Sequence, residues 1–242
     1  MAKSHKRKNS QKATQQNSRH EERVAAAKAQ QSKKFRRNVL LAILLLIVIV
    51  SLWQVSRSIS VTTEGMQPLA LDTISEFDST KGAGDVIVIK YSDFQCPACR
   101  SATVFVEELL AEYSEDVTFM YRHFPLVGVL PKGTYAAQAA EAARLQGKFW
   151  EMHELLFERQ PEWSSGNERQ LFREFAQEIG LDVAQFDADI ISPQVRAVVQ
   201  LHAESAQSLR LSATPAFFVN GRQVQLRSAQ DLATAVAQEL AN

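Results

Sequence analysis

The sequence predicts an α/β domain in which a βαβ unit is followed by a block of helices and then a ββα unit, with one membrane-spanning helix ahead of it. Three features support this order. An apolar strand leads into a helix within residues 86–113, helical spacing continues from residue 132 to 209, and two short strands flank Asn220-Gly221. The predicted domain, residues 68–242, is about 175 residues long, which is enough for one buried core.

The first strand and helix enclose the two cysteines of the chain, Cys96 and Cys99. The strand is the apolar, β-branched run at residues 86–89. Pro97 suits the first position of the helix, because its missing N–H would be unpaired there in any case. The helix is indicated by one apolar face, formed by Ala102, Val106, Leu109 and Tyr113.

This placement favours thiolate chemistry at Cys96. Unpaired backbone N–H groups and the positive end of the helix dipole point at the start of the helix. In such motifs the pKa of the first cysteine falls well below that of a free thiol. Cys99 follows one turn later, close enough to form a disulfide with Cys96 or to resolve a mixed one. Strand, cysteine pair and helix together indicate a dithiol–disulfide redox centre.

Two other interpretations of the cysteine pair are weaker. A structural zinc site takes four nitrogen or sulfur ligands, commonly in two pairs, whereas this chain has no second cysteine pair and its five histidines are scattered. Zinc or copper binding is therefore disfavoured, and neither a metal nor a cofactor is predicted. An inert structural disulfide is disfavoured because so short a loop constrains the unfolded chain little.

The net charge of zero conceals two oppositely charged parts. Residues 1–37 contain 12 Lys and Arg against 2 acids, a net charge of +10, and the remainder carries 15 basic and 25 acidic residues, a net charge of −10. Residues 1–38 are predicted to be a disordered, basic cytoplasmic tail, because they have too few large apolar residues to form a core. Nucleic-acid binding is the alternative for such a tail, but no recognisable motif supports it and no nucleic-acid partner is predicted.

Residues 39–55 are predicted to span the cell membrane once, as an uncleaved signal anchor. Their 17 residues carry no charge and match the short end of the spanning range of roughly 17–25. The basic residues before this segment keep the N-terminus in the cytoplasm, and Trp53 suits the opposite interface. A cleaved signal peptide is the alternative, although no Ala-x-Ala site follows. After a polar linker at residues 56–67, the domain at residues 68–242 is expected outside the cytoplasm, where disulfides persist.

Residues 117–123 alternate like a strand and should pair in parallel with the first strand through a right-handed crossover. His123, at the end of this strand, could shuttle protons beside the cysteines or could form only local hydrogen bonds. The helices that follow are expected to end at Gly147, before Pro161, at Gly180 and near Leu209. Their apolar faces, on or near which His153 and His202 lie, are predicted to pack in the core.

The pattern changes back to strands near the C-terminus. A strand at residues 216–219 is followed by Asn220-Gly221, which indicates a type I′ hairpin turn, and by a return strand at 224–226. A last helix is predicted at residues 228–240. Thr214-Pro215 precedes the strand, where a proline is tolerated because its missing N–H is not needed. The bond between them could be cis or trans.

Four motifs occur in a shared order along the domain: Asp93-Phe94-Gln95-Cys96-Pro97-Ala98-Cys99, Tyr121-Arg122-His123-Phe124-Pro125, Phe149-Trp150-Glu151-Met152-His153 and Thr214-Pro215-Ala216-Phe217-Phe218-Val219-Asn220-Gly221. With them the chain resembles the DsbA-like thiol–disulfide oxidoreductases of the thioredoxin superfamily, especially the membrane-anchored bacterial group. The resemblance implies a thioredoxin-like fold with a helical insertion at about residues 130–209.

The resemblance also implies roles for individual residues. Cys96 would be the exposed nucleophile and Cys99 the resolving thiol, with Pro97 and Ala98 supporting the motif. Pro215 would be cis beside the disulfide, where Thr214 and Pro215 bind an extended substrate peptide. The implied partners are cysteine-containing protein substrates outside the cytoplasm and a membrane redox protein that reoxidises the dithiol.

Two positions depart from the family pattern. Many relatives carry a buried acid six residues before the first cysteine, where this chain has Lys90. A lysine there would favour thiolates if its charge were near. Pro97-Ala98 separates the cysteines, whereas the best-known strong oxidase of the family has Pro-His. The predicted function is the introduction of disulfides through Cys96 and Cys99; the alternatives are a reductase or isomerase with the same site, or a non-catalytic thiolate metal-binding domain.

Overall fold

The computed structural model describes residues 69–241 and, ahead of them, Leu46 alone. Apart from Leu46, the predicted tail at residues 1–38, anchor at 39–55 and linker at 56–67 lie outside the described residues and remain predictions. Among the described residues, no helix is both long and apolar enough to cross a bilayer. Residues 69–241 belong to one compact unit, Val61–Asn242.

Five strands of the described domain form one mixed sheet. Their bounds are β1 Ser79–Lys81, β2 Val86–Ser92, β3 Val117–His123, β4 Ala216–Val219 and β5 Arg222–Val224. The order across the sheet is β1-β3-β2-β4-β5. Only β2 and β3 pair in parallel, which requires a crossover connection. The βαβ unit predicted from the sequence is confirmed.

The helices surround this sheet. Their bounds are α1 Pro97–Ser101, α2 Thr103–Tyr113, α3 Gly133–Leu145, α4 Phe149–Glu158, α5 Gln160–Ser165, α6 Glu168–Glu178, α7 Val183–Asp189, α8 Pro193–Ser208 and α9 Ala229–Leu240. Helices α3 to α8 lie between β3 and β4 in the chain, so the helical insertion predicted at about residues 130–209 is confirmed.

The structure adds one strand to those predicted and corrects the position of another. The sequence pattern does not predict β1, because its three residues are polar, and only pairing with β3 at the edge of the sheet identifies it. The return strand predicted at 224–226 is wrong, since β5 ends at Val224. Asn220 and Gly221, with φ of 45° and 78°, are both in the left-handed region that a two-residue type I′ turn requires. The return strand therefore begins immediately after Gly221.

One helix prediction also needs correction. The helix after the cysteines is interrupted at Ala102, which separates α1 from α2. Helix α4 ends at Glu158, before Pro161 as predicted, and Pro161 itself lies in the first turn of α5, where a residue without an N–H leaves no hydrogen bond unmade. Gly147 and Gly180 follow α3 and α6 with φ of 75° and 76°, as expected for residues just after a helix.

The two faces of the sheet contribute to two apolar clusters, because side chains alternate along each strand. Val88 of β2 and Phe119 of β3 join residues of α2, α9 and the insertion in the larger cluster. Ile89 and Met120, one position further along each strand, join Ala206 of α8 in the smaller one. By the same alternation, Lys90 and Tyr121 share the face that carries the larger cluster.

Candidate active site

Cys96 lies four residues after the end of β2 and directly precedes α1, and Cys99 lies one helical turn further, within α1. Cys96 is the N-cap residue, with φ of −77° and ψ of 122°, and Pro97 is the first helical residue, as predicted. Cys96 is 8% exposed and Cys99 is completely buried; both are free thiols. Pro97 and Ala98 are exposed, so an approaching substrate would meet these two residues beside Cys96.

The loop between β2 and α1 is held by hydrogen bonds that are buried or partly buried. The carboxylate of Asp93 accepts hydrogen bonds from the backbone N–H groups of Gln95 and Leu126, each at 2.8 Å. From α5, Gln160 Nε2 donates to the carbonyl oxygens of Phe94 at 2.6 Å and Cys96 at 3.0 Å. The helical insertion therefore contributes directly to the position of Cys96.

Gly133, at the start of α3, leaves room for the carboxylate of Asp93. A Cβ atom added to Gly133 would overlap both carboxylate oxygens of Asp93. The close approach of α3 to this loop thus requires a residue without a side chain at position 133.

The Thr214-Pro215 loop lies against the nucleophile. The peptide bond between the two residues is cis, as the resemblance implied. Cys96 Sγ lies 3.6 Å from the carbonyl oxygen of Thr214, to which the thiol donates when Cys96 is protonated. The structure thus brings Thr214 and Cys96 together from positions 118 residues apart; a role of Thr214 and Pro215 in substrate binding stays a prediction.

The two thiols have opposite acidities. A hydrogen bond from the Cys99 thiol, aided by Thr214 and by backbone N–H groups, lowers the pKa of Cys96 to about 5 despite partial burial. Burial, and then the hydrogen bond to Cys96, raises the pKa of Cys99. At neutral pH the pair is therefore a Cys96 thiolate beside a Cys99 thiol. The thiolate is the nucleophilic form in disulfide exchange.

Lys90 lies directly beside the resolving cysteine. Its side chain is buried, and its Nζ donates a hydrogen bond to the carbonyl oxygen of Cys99 at 3.0 Å. Burial lowers the pKa of Lys90 to about 8, while the charges of Cys99, Cys96 and Glu107 oppose that shift. From the sequence, Lys90 was expected to favour thiolates if its charge lay near the cysteines. The structure places its amine beside Cys99.

His123 belongs to a buried network instead of bonding to the cysteines. Its Nε2 lies 2.9 Å from Glu141 Oε1, and the same carboxylate pairs with Arg144. Its backbone N–H donates to His202 Nδ1 at 3.3 Å. Among the described residues no hydrogen bond joins His123 to either cysteine, so the structure favours the local alternative over the proton shuttle.

The three side chains of this network also satisfy a distance criterion for metal ligands. One ligand atom from each of His123, Glu141 and His202 lies within 4.8 Å of the others. Protein groups already bond to each of them, and burial lowers the pKa of His202 to about 3, so its ring is neutral. We therefore interpret the cluster as a polar network within the core. The sequence did not reveal it, because its members lie on β3, α3 and α8.

The family model for thioredoxin matches residues 81–238 of this chain. The chain belongs to the thioredoxin family. A thioredoxin-like oxidoreductase from Silicibacter pomeroyi is 30% identical, with a TM-score of 0.61 over 69% of this chain and 95% of that protein. BdbD from Bacillus subtilis has the same fold at 20% identity, with a TM-score of 0.62 over 73% of this chain and all of BdbD.

DsbA from Xylella fastidiosa also shares the fold, at 23% identity and a TM-score of 0.56, over 72% of this chain and all of that protein. The thioredoxin-like fold with a helical insertion is therefore DsbA-like in this chain.

Curated relatives match only in part. The Na⁺/H⁺ antiporter NhaA 1 of Mycolicibacterium vanbaalenii is 41% identical over 150 residues, which cover 60% of this chain and 23% of the antiporter. NhaA 3 of Salinispora tropica is 36% identical over 169 residues, which cover 69% of this chain and 25% of that protein. The chain thus spans about a quarter of the length of these relatives.

Proposed function

We propose that the protein is an extracytoplasmic thiol–disulfide oxidoreductase that introduces disulfides into secreted or surface proteins through Cys96 and Cys99. The observation that carries this proposal is the unequal acidity of the two thiols, with the pKa of Cys96 at about 5 and that of Cys99 raised. A stable thiolate at Cys96 favours the reduced pair over the disulfide. A disulfide whose reduced form is stabilised in this way is a strong oxidant.

The geometry supports an exchange in two steps. A substrate thiolate attacks Cys96 Sγ, the Cys96–Cys99 bond breaks, and Cys99 leaves as a thiol after taking a proton. The second substrate thiolate then attacks the substrate sulfur of the mixed disulfide, and Cys96 leaves as a thiolate. The substrate loses two electrons and two protons in all. A leaving thiol of low pKa departs faster, which favours release at Cys96.

The loop at Thr214 and Pro215 supports a binding place for the substrate. It lies beside Cys96, and the two residues are only half-buried. An extended peptide lying across this loop would bring its cysteine to the exposed edge of Cys96. We therefore assign substrate binding to Thr214 and Pro215 within this proposal.

The extracytoplasmic location rests on the charge pattern of the sequence. Residues 1–37 carry +10, and the 17 residues from 39 to 55 are uncharged. A reporter enzyme that is active only outside the cytoplasm, fused to the C-terminus, should give signal. An expressed but silent fusion would contradict the location. Reoxidation by a membrane redox protein belongs to the same proposal.

Ion transport is not part of the proposed function. The antiporter names belong to whole proteins of which this chain spans about a quarter. The proposal rests instead on the cysteine pair and on the thioredoxin family.

The proposal is tested by oxidative refolding of a reduced, cysteine-containing protein in glutathione disulfide, with the full-length protein as catalyst. We expect the wild type to accelerate disulfide formation, Cys96→Ala to abolish the effect, and Cys99→Ala to accumulate mixed disulfides. Acceleration of disulfide reduction without oxidation would favour a reductase. Stoichiometric zinc on the reduced protein, without exchange activity, would favour a metal-binding domain.

A further inference from the structure

Lys90 is a buried amine without an acidic partner. Its side chain is 1% exposed, and its Nζ lies 4.9 Å from the centre of the Phe157 ring. Its hydrogen-bond acceptor is the neutral carbonyl oxygen of Cys99. Among the ion pairs within 4.0 Å in the described domain, none includes Lys90. The negative charges that favour this ammonium are therefore those of the cysteine sulfurs and, beyond ion-pair distance, of Glu107.

The fold fixes Lys90 in this place. It lies in β2, between Tyr121 of β3 and Phe217 of β4, with both neighbouring strands paired to it. The pairing on both sides therefore holds the backbone of Lys90 at the centre of the sheet. The titratable groups that face it or its cavity come from five elements: Cys96 and Cys99 at α1, Glu107 on α2, Tyr121 on β3, His153 and Glu154 on α4, and Lys81 on β1.

The other charged and titratable groups differ in how they can respond to the thiols. Burial holds the pKa of His153 well below its usual value, with the charges of Lys90 and Lys81 adding to the effect, so that ring is neutral. Burial raises the pKa of Tyr121, which also stays neutral. Lys81 is bound to Glu154 at 2.9 Å, at the exposed side of the cavity. Lys90 is thus the group of this set that combines burial, a titratable charge and direct contact with Cys99.

A cavity connects Lys90 with the outside of the domain. It has a volume of about 320 Å³ and lies between α2 and α4, with Lys90, Glu107 and Glu154 in its lining. A second cavity of about 630 Å³ shares Glu107 and Glu154 and extends to Pro97, next to the nucleophile. Both are far larger than the space that one water molecule needs. Water held in these cavities would bring protons close to Lys90.

The charge state of Lys90 should follow the redox state of the cysteines. In the dithiol form, burial disfavours the ammonium, and the single negative charge of the cysteine pair, together with that of Glu107, opposes this effect and leaves the pKa of Lys90 at about 8. In the disulfide form neither sulfur can carry a negative charge. The sulfurs then no longer compensate the burial penalty, so the pKa of Lys90 should fall further, towards the neutral amine.

We propose that Lys90 is a redox-linked proton acceptor, which takes up a proton when the Cys96–Cys99 disulfide is reduced and releases it when the disulfide forms again. This inference rests on the proposed thiol–disulfide exchange. A substrate dithiol gives up two electrons and two protons and becomes a disulfide. The Cys96–Cys99 bond accepts both electrons and breaks, Cys99 takes one proton, Lys90 takes the other, and Cys96 becomes a thiolate.

The proposal predicts the number of protons that accompany reduction near pH 7. With Lys90 the number is two, one on Cys99 and one on Lys90, and without a titrating group at position 90 it is one. The equilibrium constant for reduction should therefore change by about 100-fold per pH unit in the wild type, and by about tenfold in Lys90→Met and Lys90→Arg. Methionine removes the charge, whereas arginine keeps it but does not release its proton.

The experiment measures the equilibrium between the full-length protein and glutathione at several pH values from 6 to 7.5. Because two glutathione thiols release two protons when they form glutathione disulfide, the measured exchange constant should be nearly independent of pH in the wild type and should rise by about tenfold per pH unit in Lys90→Met and Lys90→Arg. Thiolate absorbance, recorded in parallel, reports the protonation of Cys96 in each variant. Lys81→Met is the matched control, because it removes a lysine from the same cavity but leaves Lys90 and the cysteines in place. We expect this control to retain two protons per disulfide.

One proton per disulfide in the wild type would overturn the proposal. So would two protons in both the wild type and Lys90→Met, because the second proton would then reside on another group. The count is an equilibrium quantity and does not depend on the direction of catalysis. If the wild type takes up two protons per disulfide reduced but has no oxidase activity, only the proposed function is refuted. If it is an active oxidase but takes up one proton per disulfide, only this inference is refuted.

Discussion

The fold buries two cationic side chains on neighbouring strands, Arg122 of β3 and Lys90 of β2, but gives them different partners. Arg122 binds both oxygens of Asp78, at 2.7 and 2.9 Å, and also donates to the carbonyl oxygen of Ala70 and the hydroxyl of Tyr91. Lys90 has one neutral acceptor and an aromatic ring. The two side chains point to opposite faces of the same sheet.

The electrostatic consequences are opposite. Burial disfavours the charge of Arg122, but Asp78 more than offsets this and raises the pKa of Arg122. Burial prevails at Lys90 and lowers its pKa to about 8. A buried cation with its own carboxylate has a fixed charge and serves the structure, whereas one that depends on a nearby thiolate has a charge that the redox state can change. Four substitutions test this comparison.

The largest effect is expected for Arg122→Met. This change leaves the carboxylate of Asp78 buried without its cation, which should lower the free energy of unfolding by about 3–5 kcal/mol. Urea unfolding of the full-length protein at pH 7 measures the loss. The double variant Asp78→Asn with Arg122→Met is the control and should recover part of it. A loss below about 1 kcal/mol in the single variant would contradict the structural role of the pair.

The next effect, of opposite sign, is expected for Lys90→Met in the reduced protein. The pKa of Lys90 falls from 10.5 to about 8 in the folded state. A pKa unit corresponds to 1.36 kcal/mol, so after the loss of one hydrogen bond the variant should gain about 1–3 kcal/mol at pH 7.

The pH dependence of this gain gives a sharper test. Because folding lowers the pKa of Lys90, the charged amine destabilises the folded wild type fully below pH 8, and the penalty disappears as the pH rises to about 10.5. The advantage of Lys90→Met should therefore be constant from pH 6 to 7 and decline above pH 8. Unfolding by urea at pH 7 and pH 9.5 compares the two. A variant that is less stable than the wild type at pH 7 would show that Lys90 is structural.

A smaller effect is expected for Tyr91→Phe, on the side of the sheet that carries Arg122. The hydroxyl of Tyr91 bonds to Ser205 Oγ at 2.7 Å and to Arg122 at 3.2 Å. Its loss should cost about 0.5–1.5 kcal/mol, while the ring remains packed on Phe218. Urea unfolding measures the change, with Tyr121→Phe as the control on the other face. No change in Tyr91→Phe would argue against its part in the Arg122 network.

The smallest effect is expected for Lys81→Met. Lys81 and Glu154 pair at 2.9 Å, but their side chains are 39% and 59% exposed. An exposed pair contributes about 0–1 kcal/mol and is weakened by salt. We therefore expect the free energies of unfolding of Lys81→Met and the wild type to differ by at most about 1 kcal/mol in low salt and to be nearly equal in 1 M salt. A loss as large as that of Arg122→Met would contradict the ranking by burial.

The sequence predicts local features of this fold well. The strand before Cys96, Pro97 at the first helical position and the Asn220-Gly221 turn depend on neighbouring residues alone, and all three occur as predicted. β1 could not be predicted in this way, because three polar residues become a strand only by pairing with β3.

The candidate site was predictable for its cysteines and for the loop at Pro215, which short motifs identify. The support from Gln160 could not be predicted, since it comes from α5 and is separated by 64 residues from Cys96. Lys90 was recognisable from its position relative to Cys96. Whether a carboxylate pairs with it is decided by the tertiary structure, and among the described residues none lies within 4.0 Å.

The central claim is that a stabilised Cys96 thiolate makes the Cys96–Cys99 disulfide an oxidant. Its most direct test is the reduction potential of the pair, measured on the full-length protein in glutathione buffers at pH 7. The account predicts a value close to about −120 mV, at the strongly oxidising end of the range for such proteins. A value close to about −270 mV, as in thioredoxin, would contradict it, because the dithiol would then be the electron donor.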